Sequence, residues 1–416
     1  MDYQSGMPVD PLVFETMKPY FTEHFGNPLS LHYLSEPVKE ALTNAKEKVA
    51  ELINAENPEK EIIFTSGGTE SINLAIKGVA LRNKSEGNHI ITSKIEHMAT
   101  LNTCKFLMKE GFNITFLPVD EHGTVDIEAL KEEITDKTIL ISIMYTNNEI
   151  GTIEPIKEIG EIAKDKKIYF HTDAVAAAGK IPIDVQEENI GLMTLSSNDI
   201  YGPKGMGALY VNKRVKIAPI IHGGGQERGL RSGTENMPGI VGFGKATELA
   251  KQNMEEEIKH TTKLRDTLIK NILEKIERAY LTGHPVKRLP TNASFRFDGI
   301  EGESILLKLS QNGIVTSTGS ACASQTLEPS HVLLATGLNH VQAHGSLLLT
   351  LSKWSTEEDV NYVLEKLPKI VSNLREISPL WQMIVQGIDL ESKMQEWMKR
   401  SKEEEEEHHH HDEHGL

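Results

Sequence analysis

The sequence predicts an α/β fold with a large layered domain and a smaller α+β domain. Three observations lead to this prediction. Short, nearly continuous apolar runs alternate with helical patterns through roughly the first 250 residues, which is typical of parallel strands covered by helices on both faces. The pattern then changes to a long charged helix followed by shorter strands. A chain of 416 residues is also long enough to bury two cores.

The elements of the large domain follow in chain order. Helices are predicted over residues 35–53, 98–110 and 156–164, and a further helix follows the turn at 66–70 and ends at about residue 81. Strands are predicted over residues 61–65, 89–93, 113–117, 138–145, 168–172, 192–195 and 207–211. Gly111 directly follows the helix over 98–110, where glycine commonly ends a helix. The strands read as unbroken apolar runs rather than as alternating ones, so we expect a mainly parallel sheet.

The second domain begins with a helix over residues 251–278, which Gly283-His284-Pro285 interrupts. Strands are predicted over residues 292–297 and 314–316, with helices between them. We therefore predict the following organisation: an N-terminal arm (1–12) packed on the small domain, a large cofactor-binding domain (13–250), a small domain (251–372), C-terminal helices (373–400) and a disordered acidic and histidine-rich tail (401–416).

Composition excludes several classes of protein. A net charge of −16 argues against a nucleic-acid partner. No apolar run is long enough to span a membrane, and the N-terminus lacks a signal-peptide pattern. Two cysteines do not make a disulfide framework, so we expect a cytoplasmic protein. The histidines of the tail could hold a transition metal, but a solvated terminus or a tag remnant is favoured, and no site is assigned there.

Two motifs carry polar groups at strand ends. Ser66-Gly67-Gly68-Thr69 lies between a strand and a helix, where backbone N–H groups and the Thr69 hydroxyl can bind a phosphate. The alternative is a tight turn with Thr69 or Ser66 as helix N-cap. Asp173 follows a strand, at the edge where ligands bind in open α/β sheets. The alternative is again a helix N-cap.

Further candidates are single residues with an ordinary structural alternative. His97 follows a strand, where a histidine usually serves as a structural hydrogen-bonding group. Asn148, in Asn147-Asn148-Glu149, could belong simply to a turn. Cys322 lies among small residues that suit a mobile, exposed loop, although a free cysteine is most often buried. Cys104 falls on an apolar helix face and is predicted to be core.

These motifs together resemble the cysteine desulfurases of the IscS/NifS type, which are pyridoxal-phosphate (PLP) enzymes of the class V aminotransferase fold. The resemblance covers about residues 1–370. It rests on the glycine turn at 66–70, Asn-Asn-Glu-Ile-Gly-Thr at 147–152, the long run at 223–236, Gly-Ser-Ala-Cys at 319–322 and Leu-Glu-Pro-Ser at 327–330. It also rests on the elbow at 196–204, which in the family reads Ser-Ser-His-Lys before Gly-Pro-Lys-Gly. The implied fold has a mainly parallel seven-stranded sheet.

The resemblance also implies residue roles. His97 and Cys322 would be catalytic, with His97 against the cofactor ring and Cys322 taking sulfur from L-cysteine as a persulfide. Cofactor contacts would come from Gly68, Thr69, Asn148, Asp173, Ala176, Ser196, Ser197, Asn198 and Thr234. Asp173 would contact the pyridine nitrogen, and Thr234 would reach the cofactor of the partner subunit in a homodimer.

The sequence departs from the family at cofactor and substrate contacts. Asp199 replaces the Schiff-base lysine, Asn198 a histidine, Ala176 a glutamine, and Leu348 the arginine that clamps the substrate carboxylate. The same replacements resemble an archaeal IscS-like subgroup. An aspartate cannot form an imine, so we expect PLP to bind non-covalently and turnover to be impaired.

Two hypotheses follow from the resemblance. In the first, the protein is a desulfurase of iron–sulfur cluster assembly that delivers persulfide sulfur from Cys322 to an IscU-type scaffold. In the second, it is an impaired interaction partner whose Cys322 ligates a nascent [2Fe–2S] cluster shared with the scaffold, or accepts external sulfide. A different PLP reaction, such as transamination, is disfavoured because it too needs the missing lysine.

Overall fold

The computed structural model describes residues 1–318 and 329–388. Its strands are β1 (Ile62–Thr65), β2 (His89–Ser93), β3 (Asn113–Leu117), β4 (Thr138–Ser142), β5 (Tyr169–Asp173), β6 (Leu192–Ser196), β7 (Gly207–Val211), β8 (Ala279–Leu281), β9 (Asn292–Phe297) and β10 (Ser346–Thr350).

Its helices are α1 (Pro11–Met17), α2 (Pro19–Thr22), α3 (Glu36–Ile53), α4 (Pro58–Glu61), α5 (Gly68–Arg82), α6 (Met98–Lys109), α7 (Ile127–Glu133), α8 (Ile156–Lys166), α9 (Met237–Lys275), α10 (Gly302–Gln311), α11 (His331–Ala335), α12 (His340–His344), α13 (Glu357–Ile377) and α14 (Pro379–Val385). Two short 3-10 helices cover Tyr33–Ser35 and Asn198–Ile200.

The first seven strands form one sheet in the order β1-β7-β6-β5-β4-β2-β3. The pairs β2–β3, β2–β4, β4–β5 and β5–β6 are parallel, and β7 runs antiparallel to both of its neighbours. The predicted mainly parallel sheet of the α/β fold is therefore confirmed. All strands of this sheet except β7 point their carboxyl ends toward the same edge.

Both faces of this sheet are buried. Successive residues of a strand alternate between the faces, so Ile90 belongs to one apolar core and Ile91 to the other. Residues of α5 and α6 complete the first core, whereas α3, α8 and the first part of α9 complete the second. Cys104 of α6 is fully buried in the first core, as predicted, and burial raises the pKa of its thiol to about 12.

A second, antiparallel sheet has the strand order β10-β9-β8. Its apolar core includes the second half of α9, together with α10 and α13. At the outer edge, the Thr350 N–H donates to Met1 O at 2.9 Å and the Tyr3 N–H donates to Thr350 Oγ1 at 2.8 Å. The N-terminal residues thus lie against the end of β10.

Helix α9 differs from the predicted helix over residues 251–278. It begins at Met237, where the Asn236 side chain accepts the Gly239 N–H at 3.2 Å and Pro238 occupies the first turn. Its 39 residues contribute to both cores, with Phe243 in one and Leu268 in the other. The predicted boundary at residue 250 therefore falls inside a continuous helix.

The predicted strand over residues 314–316 is wrong. Gly313 adopts a positive φ of 75° after α10 and turns the chain. Among residues 314–318, only Ser317 pairs with β10, through an isolated bridge to Leu348. Cys322 and the tail at 401–416 lie outside the described residues. In the part of the chain that the structure describes, no helix combines the length and apolarity needed to cross a bilayer.

Candidate active site

A cavity of about 740 Å³ opens at the carboxyl edge of the large sheet, within the size range of small-ligand sites. Its wall takes residues from the ends of β5 and β6 and from the loops after β1, β2 and β4. Most of the predicted site residues meet on this wall, namely Gly68, Thr69, His97, Asn148, Asp173, Ala176, Ser196 and Asn198. Asp199 and Leu348, where the resemblance implies a lysine and an arginine, lie on the same wall.

The glycine turn after β1 leads directly into α5. The N-cap residue of α5 is Gly67, and no side chain accepts a hydrogen bond from the first N–H groups of the helix as a cap. The alternative in which Ser66 or Thr69 caps the helix is therefore wrong. The N-terminal N–H groups of α5 are therefore not occupied by a side chain of the turn, and Gly68 and Thr69 both face the cavity. A Cβ at Gly68 would lie 3.0 Å from Val175 Cγ2, so even alanine fits tightly there.

Asp173 ends β5 and is 6% exposed. Its Oδ1 accepts the Val175 N–H at 3.0 Å, which closes a turn rather than capping a helix, because turns follow Asp173 in the chain. Burial raises the pKa of this carboxyl group, while His97 acts in the opposite direction. Ala176, in the same turn, lines the cavity but has no side-chain polar group.

His97 is the N-cap of α6. Its ring Nδ1 accepts the Ala99 N–H at 3.1 Å. The structural role anticipated for a lone histidine is therefore present, and the same residue lines the cavity.

The loop that carries Asn148 is held from both sides. Asn147 Oδ1 accepts the N–H groups of Glu149 and Ile150, both at 2.9 Å, and its amide donates to Ile95 O. From the small domain, Asn292 Nδ2 donates to Asn148 O at 3.2 Å. The turn anticipated at Asn147-Asn148-Glu149 exists, and it presents Asn148 to the cavity.

The elbow after β6 contains a short 3-10 helix over Asn198–Ile200. Ser196 and Asn198 line the cavity, whereas Ser197 is fully buried and is not on the wall. Asn198 Oδ1 and Ser197 Oγ are buried without a hydrogen-bond partner among the described residues. The cofactor contact expected of Ser197 thus stays a prediction, with its side chain placed behind the wall of the cavity.

Asp199 is 6% exposed and borders two cavities. Burial raises the pKa of its carboxyl group, and Lys180, which lines the smaller cavity with it, is the largest opposing influence. Lys204 lies elsewhere, because its Nζ donates to Met7 O at 3.0 Å and it is not on the wall of the main cavity.

Sequence reasoning missed two buried glutamates on the wall. Glu96 Oε1 accepts from Ser93 Oγ at 2.7 Å and from the Met144 N–H at 2.9 Å. Burial raises the pKa of both Glu96 and Glu149 to about 8, so both are largely uncharged at neutral pH. Neither shows a periodic or compositional signal; only their positions next to His97 and Asn148 could have drawn attention to them.

The wall of the cavity has little fixed positive charge. Leu348 is 5% exposed and apolar, and of the described wall residues only Lys105, on α6, is a lysine or arginine. Lys105 is exposed. Ser317 and Thr318, which precede the segment containing Cys322, and Pro329 and Ser330, which follow it, also line the cavity.

Thr234 lies apart from the other predicted contacts. It lines a separate cavity of about 160 Å³ with Glu227 and Arg231. The surrounding loop is anchored by a buried ion pair, Lys46 Nζ to Glu227 Oε2 at 2.8 Å, and by Arg231 Nε to Glu70 Oε1 at 3.0 Å.

The possible metal ligand Cys322 lies outside the described residues. Within residues 1–318 and 329–388, no group of three or more histidine, cysteine, aspartate or glutamate side chains is placed to hold a metal ion. Metal binding thus stays a prediction.

Comparison with known proteins places this geometry in a family. The family model described as aminotransferase class-V matches residues 1–363. A cysteine desulfurase IscS of Clostridium botulinum is 57% identical over 384 residues, covering 92% of this chain and 96% of its own length. Cysteine desulfurase IscS 1 of Archaeoglobus fulgidus is 54% identical over 381 residues, covering 92% of this chain and 99% of its own.

Solved structures of similar proteins have the same fold as this chain. A NifS-like protein superposes with a TM-score of 0.84 at 39% identity, covering 90% of this chain and 99% of that one. SspA in complex with cysteine superposes with a TM-score of 0.74 at 37% identity, covering 85% of this chain and 99% of that one. The chain therefore belongs to the class V aminotransferase family, among the cysteine desulfurases of the IscS/NifS type.

Proposed function

We propose that this protein mobilises sulfur from L-cysteine for iron–sulfur cluster assembly, using PLP that it holds without a covalent bond. The observation that carries this proposal is the gathering of Gly68, Thr69, His97, Asn148, Asp173 and Ser196 around one cavity. These residues come from separate loops of the chain, yet they share one edge of the sheet.

The side chains present fit PLP in three respects. The start of α5, with Thr69 and Ser196, offers N–H and hydroxyl donors of the kind that bind phosphate. Asp173 offers a carboxylate for a pyridinium nitrogen. The raised pKa values of Glu96 and Glu149 keep those groups largely neutral at pH 7, which limits the negative charge facing a phosphate.

The elbow after β6 cannot attach PLP covalently at residue 199, where the resemblance implies the Schiff-base lysine. Asp199 has no amine, and we propose that this chain represents a lysine-lacking subgroup of its family. Binding then depends on the donors around Gly68, Thr69 and Ser196 and on the carboxylate of Asp173. Bound PLP supplies an electron sink that weakens bonds next to the amino group of an amino acid.

The protein supplies binding, orientation and the sulfur acceptor. Asp173 balances a positive ring nitrogen, and the loop at Asn148 borders the same space. Cys322, in its thiolate form, would attack the sulfur of the substrate cysteine. An S–S bond then forms, the C–S bonding pair moves to Cβ, which takes up a proton, and alanine leaves. The persulfide on Cys322 would pass to an IscU-type scaffold protein.

Low turnover is expected, because the cavity wall has neither the lysine nor the arginine of the family. This observation favours a second candidate function, that of an impaired partner. In that case Cys322 ligates a nascent [2Fe–2S] cluster on the scaffold.

A homodimer is proposed for both functions. Large apolar side chains are exposed along residues 12–33, where Phe21 is 62% and Leu31 104% exposed. Neighbouring exposed residues of this kind mark protein interfaces. Thr234 lies outside the main cavity, which suits a contact to the site of the partner subunit.

The test is incubation of the purified protein with PLP and L-cysteine, with alanine and sulfide measured separately. We expect bound PLP that dialysis removes, no pyridoxyl-lysine after borohydride reduction, and slow alanine formation that Cys322→Ala abolishes. Failure to bind PLP, or absence of any Cys322-dependent alanine, would contradict the desulfurase. Turnover at ordinary enzymatic rates that Cys322→Ala abolishes would instead contradict the impaired partner.

A further inference from the structure

Lys180 lies behind the wall of the main cavity, next to the elbow that carries Asp199. It belongs to the turns that follow β5, and its N–H donates to Ala177 O at 3.0 Å. The preceding Gly179 has a positive φ of 73°, and a Cβ there would lie only 2.8 Å from Ile200 Cγ2. This close packing of a glycine on the elbow brings Lys180 to its position.

A second cavity, of about 20 Å³, lies between Lys180 and the elbow. Lys180, Asp199 and Glu257 of α9 line it, and its volume is too small for anything larger than about one water molecule. Of the described residues on its wall, only Lys180 is a lysine or arginine. Asp199 lines the main cavity as well, so its side chain separates the ligand space from Lys180.

Each partner reduces the cost of burying the other. Lys180 is the largest influence that opposes the rise in the pKa of Asp199, and it acts through its charge, not through a hydrogen bond. Burial in turn lowers the pKa of the Lys180 ammonium group, and Asp199 is the largest opposing influence. Whichever of the two groups holds the shared proton, the pair carries no net charge.

The other titratable groups face this pair from three different elements. Asp173 at the end of β5 and His97 at the start of α6 line the main cavity with Asp199, and Glu257 lines the small cavity with Lys180. Two aspartates, at 173 and 199, therefore border the ligand space. A lysine lies directly behind the second of them.

We propose that Lys180 is a positioning residue of the cofactor site: it balances the charge of Asp199 from behind the wall, and the elbow can then accept the dianionic phosphate of PLP beside Ser196. The inference rests on the function proposed above, because it concerns the PLP of that cavity. Without Lys180, an ionised Asp199 would repel the phosphate. A protonated Asp199 would require a proton from solvent, and its uptake becomes more costly as the pH rises.

The test is the dissociation constant of PLP, measured by equilibrium dialysis for Lys180→Met in the wild-type and Asp199→Asn backgrounds. We expect Lys180→Met alone to raise this constant about tenfold or more at pH 8. The ratio to wild type should shrink at pH 6, where Asp199 takes up a proton more readily. In the Asp199→Asn background the change should stay below about twofold, because no carboxylate is left to balance. Equal weakening in both backgrounds would overturn the proposal, since Lys180 would then act on the phosphate directly.

Two further variants separate charge from packing. Lys180→Arg keeps the positive charge and should retain most of the wild-type affinity for PLP; a loss as large as that in Lys180→Met would contradict a role of charge. Lys204→Met removes a lysine from the same elbow that does not line the main cavity, and it should leave the affinity unchanged. An equal loss there would reduce the effect to the overall charge of the protein and would also contradict the proposal.

Urea unfolding of the protein without PLP separates this inference from the proposed function. Lys180→Met should lower the urea midpoint, and it should lower it less in the Asp199→Asn background, because the penalty comes from a buried carboxylate left without its partner. If this coupling is found but no PLP binds, the proposed function fails while the pairing holds. If PLP binds and alanine forms, but Lys180→Met has the same effect in both backgrounds, only the inference on Lys180 fails.

Discussion

Ser317 and Leu348 are joined by two backbone hydrogen bonds, Ser317 N–H to Leu348 O at 3.2 Å and Leu348 N–H to Ser317 O at 2.8 Å. This isolated bridge ties Ser317 to the position in β10 where the resemblance to the desulfurases implies an arginine. Both residues line the cavity. This part of the cavity wall is thus built around an apolar residue whose backbone also fixes Ser317.

Asp199→Lys should restore covalent attachment of PLP. The new amine would take a position on the cavity wall and could react with the aldehyde. We expect borohydride reduction followed by mass spectrometry to find a pyridoxyl group on residue 199. Asp199→Asn is the control, because it removes the charge without adding an amine and should give no adduct.

Leu348→Arg, made together with Asp199→Lys, should lower KM for L-cysteine more than Asp199→Lys alone does. A guanidinium can bind the substrate carboxylate through two hydrogen bonds. The bulk is controlled by Leu348→Met in the same background, and steady-state kinetics give the comparison. Full recovery of cysteine turnover by Asp199→Lys alone would mean that the arginine is unnecessary.

Glu96→Gln should flatten part of the pH dependence of stability. Burial raises the pKa of Glu96 in the folded state to about 8, above its ordinary value of 4.5. Between pH 4.5 and about 8, the Glu96 carboxyl group is protonated in the folded protein but ionised in the unfolded chain. Its contribution to the free energy of unfolding is therefore greatest below pH 4.5 and is lost as the pH rises through 8. Urea unfolding from pH 5 to 8 measures the slope, with the exposed Glu161→Gln as control; an unchanged slope would contradict the assignment.

Arg288→Lys should loosen the Asn148 loop. Arg288 is 3% exposed and its Nη2 donates to Ile150 O at 2.8 Å and to Thr282 O at 2.7 Å. Lysine cannot reproduce this fork, and unpaired buried carbonyls are costly, so we expect a loss of about 2–4 kcal/mol in the free energy of unfolding. PLP affinity should fall as well. The more exposed Arg278→Lys is the control, and an equal effect of both would refute a specific role of Arg288.

Lys46→Met should strongly destabilise the fold, because it leaves Glu227 charged and unpaired in a buried position. The two side chains are 5% and 3% exposed, and removal of one partner of such a pair costs about 3–5 kcal/mol. Denaturant unfolding of Lys46→Met, Glu227→Leu and the double variant gives the coupling energy. In the double variant we expect much of the loss to be recovered.

The exposed pair Lys18–Glu15 provides the comparison for this experiment. Its side chains are 50% and 64% exposed, and exposed pairs contribute less than about 1 kcal/mol. Lys18→Met should therefore have a small effect. If Lys46→Met lowered the free energy of unfolding as little as Lys18→Met does, the ion pair between Lys46 and Glu227 would not be what anchors the Thr234 loop.

The local pattern of apolar residues predicted which strands and helices form the large domain, but it predicted the ends of these elements less accurately. The apolar runs at β2, β4 and β5 identify buried parallel strands without reference to the rest of the chain. The start of α9 was misplaced, because glycines and Pro238 resemble a loop while Asn236 in fact caps the helix. The predicted strand at 314–316 failed because strand pairing depends on a distant partner, and only Ser317 meets one.

By itself the sequence determined the α/β class, the positions of the cavity motifs and the replacements at Asp199 and Leu348, because these depend on local periodicity and residue identity. Only the tertiary structure decided that Glu96 and Glu149 are buried beside the site, that Thr234 lies outside the main cavity and that His97 Nδ1 is occupied. Burial and the direction of a hydrogen bond depend on where packing brings distant segments, and on side-chain orientation, neither of which residue order specifies.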